Sequence, residues 1–439
     1  MGVVLSLRML GLFMIYPVFA ALSFHYAGAS AFTVGLALGS YGLTQGIFQL
    51  PFGWLSDRFG RKPIIIIGLI LFAAGSAMSA LATTITGLIL GRLIQGLGAV
   101  TSATLALIAD VTREEHRTQA MALAGVLIGS SFAVAIMVGP LLASTVGLAG
   151  IFWLTGLSAL LAIPFVISVR IPGWSHPPNH PRQMGQALRV VFSQPDLLRL
   201  DAGIAIQQAV LTSLFLVLPT FTTRLLGLPP GASWLLYLPV LAGAFLLSLP
   251  FVFLAEVRGW FRAILLGAIL GLGLGVAGLT LDHSSGTDFV IALALYFSAF
   301  TLLEALLPSW VSRITPLGFY GTSLGVYSSC QFLGIFLGGA AGGLVLARWG
   351  GIGILGFDFL LVGVWFAVML PIRNVKRTRT LIVPVPGRSA DWADVLDEMP
   401  GVIEWRYVNE EELLYLRLDP KVYPLETLER FKVSLQQGA

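Results

Sequence analysis

Twelve stretches of mostly apolar residues follow one another along this chain, each close to the roughly 20 residues that a helix needs to cross a lipid bilayer. They fall at 3–24, 33–52, 63–82, 87–108, 119–142, 150–169, 201–220, 233–255, 262–281, 288–310, 321–347 and 351–371. In hydrocarbon every backbone N–H and C=O must be satisfied inside its own segment, so these runs read as helices. Composition agrees: 56% of residues are hydrophobic and 11% charged, against about 25% charged in a soluble domain. The start has no basic region and no small-residue cleavage site, so the first span is expected to remain in place as a helix.

Charge between the runs sets their orientation. With the N-terminus on the cytoplasmic side, the loops on that side carry sixteen Arg and Lys, and the opposite loops carry only Arg224 and Arg348. That bias predicts a multi-pass protein with both termini cytoplasmic. The longest connection, 171–199, divides the spans six and six. LSDRFG at 55–60 and LAEVRG at 254–259 follow the second span of each set at an offset of 199 residues, which also brings Gly139 onto Gly338. Such a repeat predicts two pseudo-symmetric six-helix halves, 1–170 and 200–372, with a solute site between them near the midplane.

Beyond residue 380 the pattern changes to eleven acids, six bases and alternating apolar positions. LIVPVPG, VIEWRYV and LLYLRL read as strands, and ADWADVLDEM and PLETLERFKVSL as helices. The β-α-β-β-α order predicts a small α+β, ferredoxin-like cytoplasmic domain over 380–437. The predicted fold class is therefore an all-α membrane protein of twelve helices with this domain appended.

Between the second and third spans stand Gly53, Asp57, Arg58, Gly60, Arg61 and Lys62, spaced as G-x-L-x-D-R-x-G-R-K. The glycines suit a close helix approach and a tight turn, and Asp57 suits a helix N-terminus, where an anion gains about 0.3–1 kcal/mol. This string resembles the signature of the major facilitator superfamily. SLRMLG at 6–11, YGLTQ at 41–45, EALLPS at 304–309, GVYSSCQFLG at 325–334 and the C-terminal domain resemble a bacterial inner-membrane branch of that family related to drug:proton antiporters. The resemblance implies that Asp57 meets the start of the eleventh span near Gly321, that Arg61 pairs with Asp110, and that these contacts form a latch between the halves. It also implies proton coupling through Arg92 and Gln95, in R-x-x-Q-G, and an antiporter motif at Gly125, Gly129, Gly139 and Pro140. The closing glycine pair of that motif is replaced here by Ala143 and Ser144.

Charges inside spans are costly and mark function or pairing. Arg8 and Glu304 sit at similar depth, so Glu304 is either a proton carrier or half of a fixed pair with Arg8; Arg92 likewise is either a coupling residue or a structural ion pair. Asp358 is a weaker candidate, in a span expected at the periphery. Tyr41, Gln45, Gln49, Gln207, Gln208, Tyr327 and Gln331 could line a cavity for an amphiphilic or aromatic solute, or bond between helices.

The chain has no GxxxxGK[ST] loop and no recognisable nucleophile, carboxylate pair or metal-ligand cluster, so neither an enzyme nor a cofactor or metal is expected. One cysteine, Cys330, excludes an internal disulfide. The leading expectation is a monomeric, proton-coupled exporter of a small organic solute, with protons and membrane lipid as its other partners and no nucleic acid. The alternative is a membrane ligand sensor signalling through the C-terminal domain.

Overall fold

Helices form where the apolar runs predict them, and most of their interruptions fall at glycine or beside proline. The computed structural model describes residues 1–112, 114–169, 184–280, 286–316, 319–373, 379–384, 396–397, 399–408, 413–419 and 422. Helices α1 (Gly2–Phe13) and α2 (Tyr16–Ser23) form the first span, parted at residues 14–15 with Pro17 in the first turn of α2. Helix α3 (Ala31–Phe59) starts at a capping box in which Ser30 and Thr33 satisfy each other's backbone N–H. It ends at Gly60, whose φ of 94° suits glycine, and α4 (Arg61–Leu81) leaves at once.

The fourth span is split into α5 (Ile85–Leu97) and α6 (Thr101–Val111). The fifth and sixth run together as α7 (Glu114–Ser168), broken at Gly147 with φ 65°. Part of the expected linker 171–199 is itself helical, α8 (Met184–Phe192), an amphipathic turn of chain whose pattern is too short to read as a span. There follow α9 (Pro195–Leu226), α10 (Trp234–Arg258), α11 (Phe261–Thr280), α12 (Gly286–Ile314) and α13 (Tyr320–Met369), the last broken at Gly350 with φ 67°. Among the described residues nine helical stretches are long and apolar enough to cross a membrane, the two broken ones at double length. Leu246, Phe253, Leu274 and Leu360 are each 64–65% exposed, a surface that only an apolar solvent would favour.

The helices before α8 meet those after it along one seam. Gly35, Gly39, Gly42 and Gly46 stand four, three and four residues apart on one face of α3, and a Cβ at any of them would lie 2.3–2.9 Å from the facing α13. Small residues let the two backbones approach, as membrane helices without a hydrophobic drive require. Gly339 and Gly343 complete the seam from the α13 side. The pairs Tyr16–Phe215, Tyr41–Phe332 and Phe132–Phe300, with ring centroids 5.7–6.1 Å apart, add aromatic contact between the two sets.

The internal repeat is visible in detail. Gly60 and Gly259, 199 residues apart, both hold positive φ, and a Cβ at Gly139 or Gly338 would lie 2.2 Å from a backbone oxygen, Met14 O and Ala209 O respectively, in the first span of its own set. Gly125 and Gly129 behave otherwise. A Cβ there meets nothing within 4 Å, so these two motif glycines are not packing residues; they lie on the open face of α7.

Strands β1 (Arg379–Pro384), β2 (Val402–Val408) and β3 (Leu413–Leu418) form a sheet of order β1-β3-β2 with both pairs antiparallel. Val383, Leu396, Leu414, Leu416 and Leu418 fill its core. A central strand antiparallel to two outer ones is what a split βαβ unit needs. Of the helix expected over 390–399, only 396–397 are described as helical; the one expected over 424–435 lies outside the described residues. Arg417 ties sheet to bundle: its Nη2 donates to Thr315 O, just past α12, at 2.7 Å, while Nη1 pairs with Glu404.

The seam gives a direct test. Gly42→Val places carbon on Phe332 O and should cost about 1–3 kcal/mol, seen as a lower melting temperature of the purified protein. Gly125→Ala should leave the melting temperature unchanged or slightly higher.

Candidate functional site

The turn between α3 and α4 brings the motif residues together at one end of the bundle. Because Gly60 turns the chain sharply, Arg61 lies back against α3, paired with Asp57 and donating from Nη1 to Ser56 Oγ at 2.8 Å, while its Nε reaches Asp110 Oδ2 of α6 at 2.8 Å. Burial lifts the Asp57 carboxyl above the ordinary aspartate range; Arg61 opposes the lift and Asp110 adds to it. Arg58 stacks on Trp54 and Phe59, and Lys62 caps the end of α7 through Ile167 O at 3.1 Å. Gly53 stands opposite Ser102, where a Cβ would sit 3.4 Å from Oγ, an ordinary contact. Among the described residues Asp57 makes no bond to the first turn of α13, and a Cβ at Gly321 would meet nothing within 4 Å, although one at Gly325, a turn further on, would meet Leu50 of α3. The contact expected there is absent in this conformation. At the other end of the bundle the sets touch, with Ser144 of α7 against Gly231.

Deeper in, the helices before α8 bury two arginines and give neither a carboxylate among the described residues. Arg8, 1% exposed, donates from Nη2 to Tyr41 OH at 3.0 Å, Gln45 Oε1 at 2.8 Å and Gly98 O at 3.1 Å, and from Nη1 to Thr101 Oγ1. The break between α5 and α6 is what turns the Gly98 carbonyl toward it. Gln45 in turn donates to Gln49 Oε1 at 2.9 Å. Arg92, fully buried, donates to Gln95 Oε1 at 2.7 Å and Leu38 O at 3.2 Å and lies 4.9 Å from the Tyr41 ring centroid; Gln95 passes on to Ser76 Oγ at 2.8 Å. A cation so placed is stabilised by neutral acceptors and a π face.

After α8 the pattern reverses. Glu304 of α12 accepts from Gln208 Nε2 at 2.5 Å and Gln207 Nε2 at 3.3 Å. Asp358 of α13, fully buried and not peripheral, accepts from Ser213 of α9. Asp201 of α9, 4% exposed, has no partner for either carboxyl oxygen among the described residues. Among the described residues neither the Arg8–Glu304 pair nor an Arg92 ion pair is formed, and each of these charges is held by neutral partners within its own set. Asp201 escapes the sequence reading because LLRLDAG, at the edge of a span, reads as a flanking charge.

Five of the seven cavity candidates serve these networks: Tyr41, Gln45 and Gln49 around Arg8, Gln207 and Gln208 around Glu304. Tyr327, 5% exposed, keeps a buried hydroxyl with no described partner, and Gln331 is half-buried. A separate apolar cavity of about 250 Å³ near Met1 and Leu127 contains none of them. No group of three or more metal-ligating side chains exists among the described residues.

A bundle of apolar helices joined along a glycine seam, with cations buried on one side and carboxyls on the other, has the architecture of a membrane transporter. Residues 1–339 match the model of the Major Facilitator Superfamily. The chain is 38% identical over 429 residues to the inner membrane transport protein YajR of Escherichia coli (strain K12), covering 96% of this chain and 94% of that one. It is 26% identical to the multidrug resistance protein MdtH of Aeromonas hydrophila, over 76% of this chain and 83% of that. Its fold resembles the crystal structure of a D-xylose-proton symporter with a TM-score of 0.66 at 18% identity, covering 85% of this chain and 97% of that. The chain belongs to the Major Facilitator Superfamily and is one of its transporters.

The Arg8 network predicts its own sensitivity. Gln45→Leu removes an acceptor from a buried guanidinium and should destabilise by about 1.5–3 kcal/mol, read as a lower melting temperature; Gln331→Leu, half-buried and outside the hydrogen bonds described for either network, should change it by less than about 0.5 kcal/mol.

Proposed function

We propose that this transporter is a secondary, proton-coupled exporter of a small organic or drug-like solute, and that Glu304 carries the coupled proton. The observation behind this reading is the Glu304 carboxyl: among the described residues it is held by two side-chain amides and by no cation, so it can exchange a proton without breaking an ion pair. The names of the relatives support export, since one is a multidrug resistance protein and another is a class E tetracycline resistance protein from Escherichia coli, 29% identical over 54% of this chain.

Counting each broken double helix as two crossings and adding α3, 29 residues long, gives twelve spans in two sets of six. With the basic loops inside, both termini and the 53–62 turn face the cytoplasm of a bacterium, across its inner membrane, the location in the name of the 38% identical relative. Asp57, Arg61 and Asp110 then form the cytoplasmic latch. Asp57 and Asp110 share Arg61 here, and Asp57 makes no described bond to the first turn of α13, which supports reading this conformation as inward-facing. Alternation would bring Asp57 onto the first turn of α13 while Ser144 and Gly231 part. The sheet after residue 379 is read as the ferredoxin-like domain of a monomeric protein. Arg417, bonded at the end of α12, gives it a handle on the cytoplasmic gate, and this contact is what favours the second reading, a sensor signalling through that domain.

Proton flux in liposomes separates the two. Organic cations, sugars and drug-like solutes are offered to the unaltered protein, Glu304→Gln and Asp57→Asn. Solute-dependent flux that Glu304→Gln abolishes and Asp57→Asn slows is the expected result. Binding without flux for every solute would replace the exporter with the sensor.

A further inference from the structure

Helices α9 and α13 run parallel in fixed register. Gly334 faces Ala205, Gly338 faces Ala209 and Gly342 faces Ser213, with a Cβ at these glycines 2.1, 2.2 and 2.8 Å from the partner helix. The same spacing continued one turn back sets Asp201 opposite Cys330. Glu304 of α12 and Asp358 of α13 meet α9 further along, at Gln208 and Ser213, so three carboxyls stand in order along one helix.

The spacing along α9 gives the ladder its length. Asp201 is on α9 itself, Glu304 is held from α9 by Gln208, and Asp358 by Ser213. At about 1.5 Å of rise per residue the three rungs are roughly 10 Å and 8 Å apart along the axis. Among the described residues no Lys or Arg is bonded to any of the three, and the buried cations Arg8 and Arg92 are engaged by neutral acceptors in the other set. Both Asp201 oxygens and Asp358 Oδ2 are buried with no hydrogen-bond partner among the described residues. An ionised carboxylate is costly in such a place, and a neutral carboxylic acid is not.

We propose that Asp201 and Asp358 are proton-binding carboxyls in addition to Glu304, spaced along α9. This rests on the reading of Glu304 as the coupled carboxyl and extends it to two further carboxyls. Each carboxylate takes up one proton, forms one O–H bond and becomes a neutral carboxylic acid.

The test counts protons. In purified protein in lipid nanodiscs, infrared difference spectra between alkaline and acid pH report the carbonyl stretch of each newly protonated buried carboxyl. Expected is one lost contribution in each of Asp201→Asn, Glu304→Gln and Asp358→Asn. Should an Asn variant fail to fold, the unaltered chain labelled with carbon-13 at the aspartate side-chain carboxyl serves instead: part of the band must move with the label. A band that ignores both the label and the two Asn variants overturns the proposal. So does a titration that shifts when sodium replaces choline, which would make Asp201 a sodium site. Because the count needs no transported solute, these outcomes stand apart from a failure of the Glu304→Gln flux experiment, which alone bears on the exporter reading.

Discussion

A guanidinium keeps its charge in any protein interior, so burying Arg8 obliges the rest of the structure to surround it with acceptors. Four answer: Tyr41 and Gln45 from α3, Thr101 from α6, and the Gly98 carbonyl bared by the break between α5 and α6. That one requirement accounts for the split fourth span, the polar face of α3 and the position of Gln49 behind Gln45. None of the four is charged, so the guanidinium retains an unneutralised field. Arg92, beneath the Tyr41 ring, repeats the arrangement.

The complementary charge lies across the seam. Glu304, Asp358 and Asp201 are all in helices after α8, held by amides, a hydroxyl or nothing described. Direct ion pairs between the sets would weld them together, since breaking a buried pair leaves two uncompensated charges and costs about 3–5 kcal/mol. Neutral ligands avoid this. What joins the sets is the glycine seam of α3 and α13, which depends on shape and dispersion and tolerates small rigid shifts, the property that rocking of two halves requires.

Sequence made the spans legible because hydrocarbon permits so few alternatives: each predicted run overlaps an observed helix. Less visible were the joints. Gly147 and Gly350 turn the chain while leaving the hydrogen-bond ladder nearly continuous, so two predicted loops are kinks. Helix α8 is too short for its periodicity to outweigh its polar neighbours. The spacing at 53–62 made the tight turn at Gly60 readable, whereas the Arg61–Asp110 pair was legible only through the family resemblance. The contact of Asp57 with the start of α13, implied by the same resemblance, is not formed among the described residues. Gly125 and Gly129 show the opposite failure: a spacing that elsewhere packs helices here lies on an open face. Asp201 and Ser213 depend on the register of α9 against α13, which only three-dimensional packing reveals.

The central claim is that the two sets move as bodies about the seam, closing one end as the other opens. Spin labels at positions 59 and 320, beside Asp57 and Gly321, and at 145 and 223, beside the Ser144–Gly231 contact, measure the two ends separately in a Cys330→Ala background. Pulsed dipolar distances taken across a pH range and with a transported solute should shorten for 59–320 as they lengthen for 145–223. Distances that stay fixed, or that change in the same direction at both ends, would contradict the account.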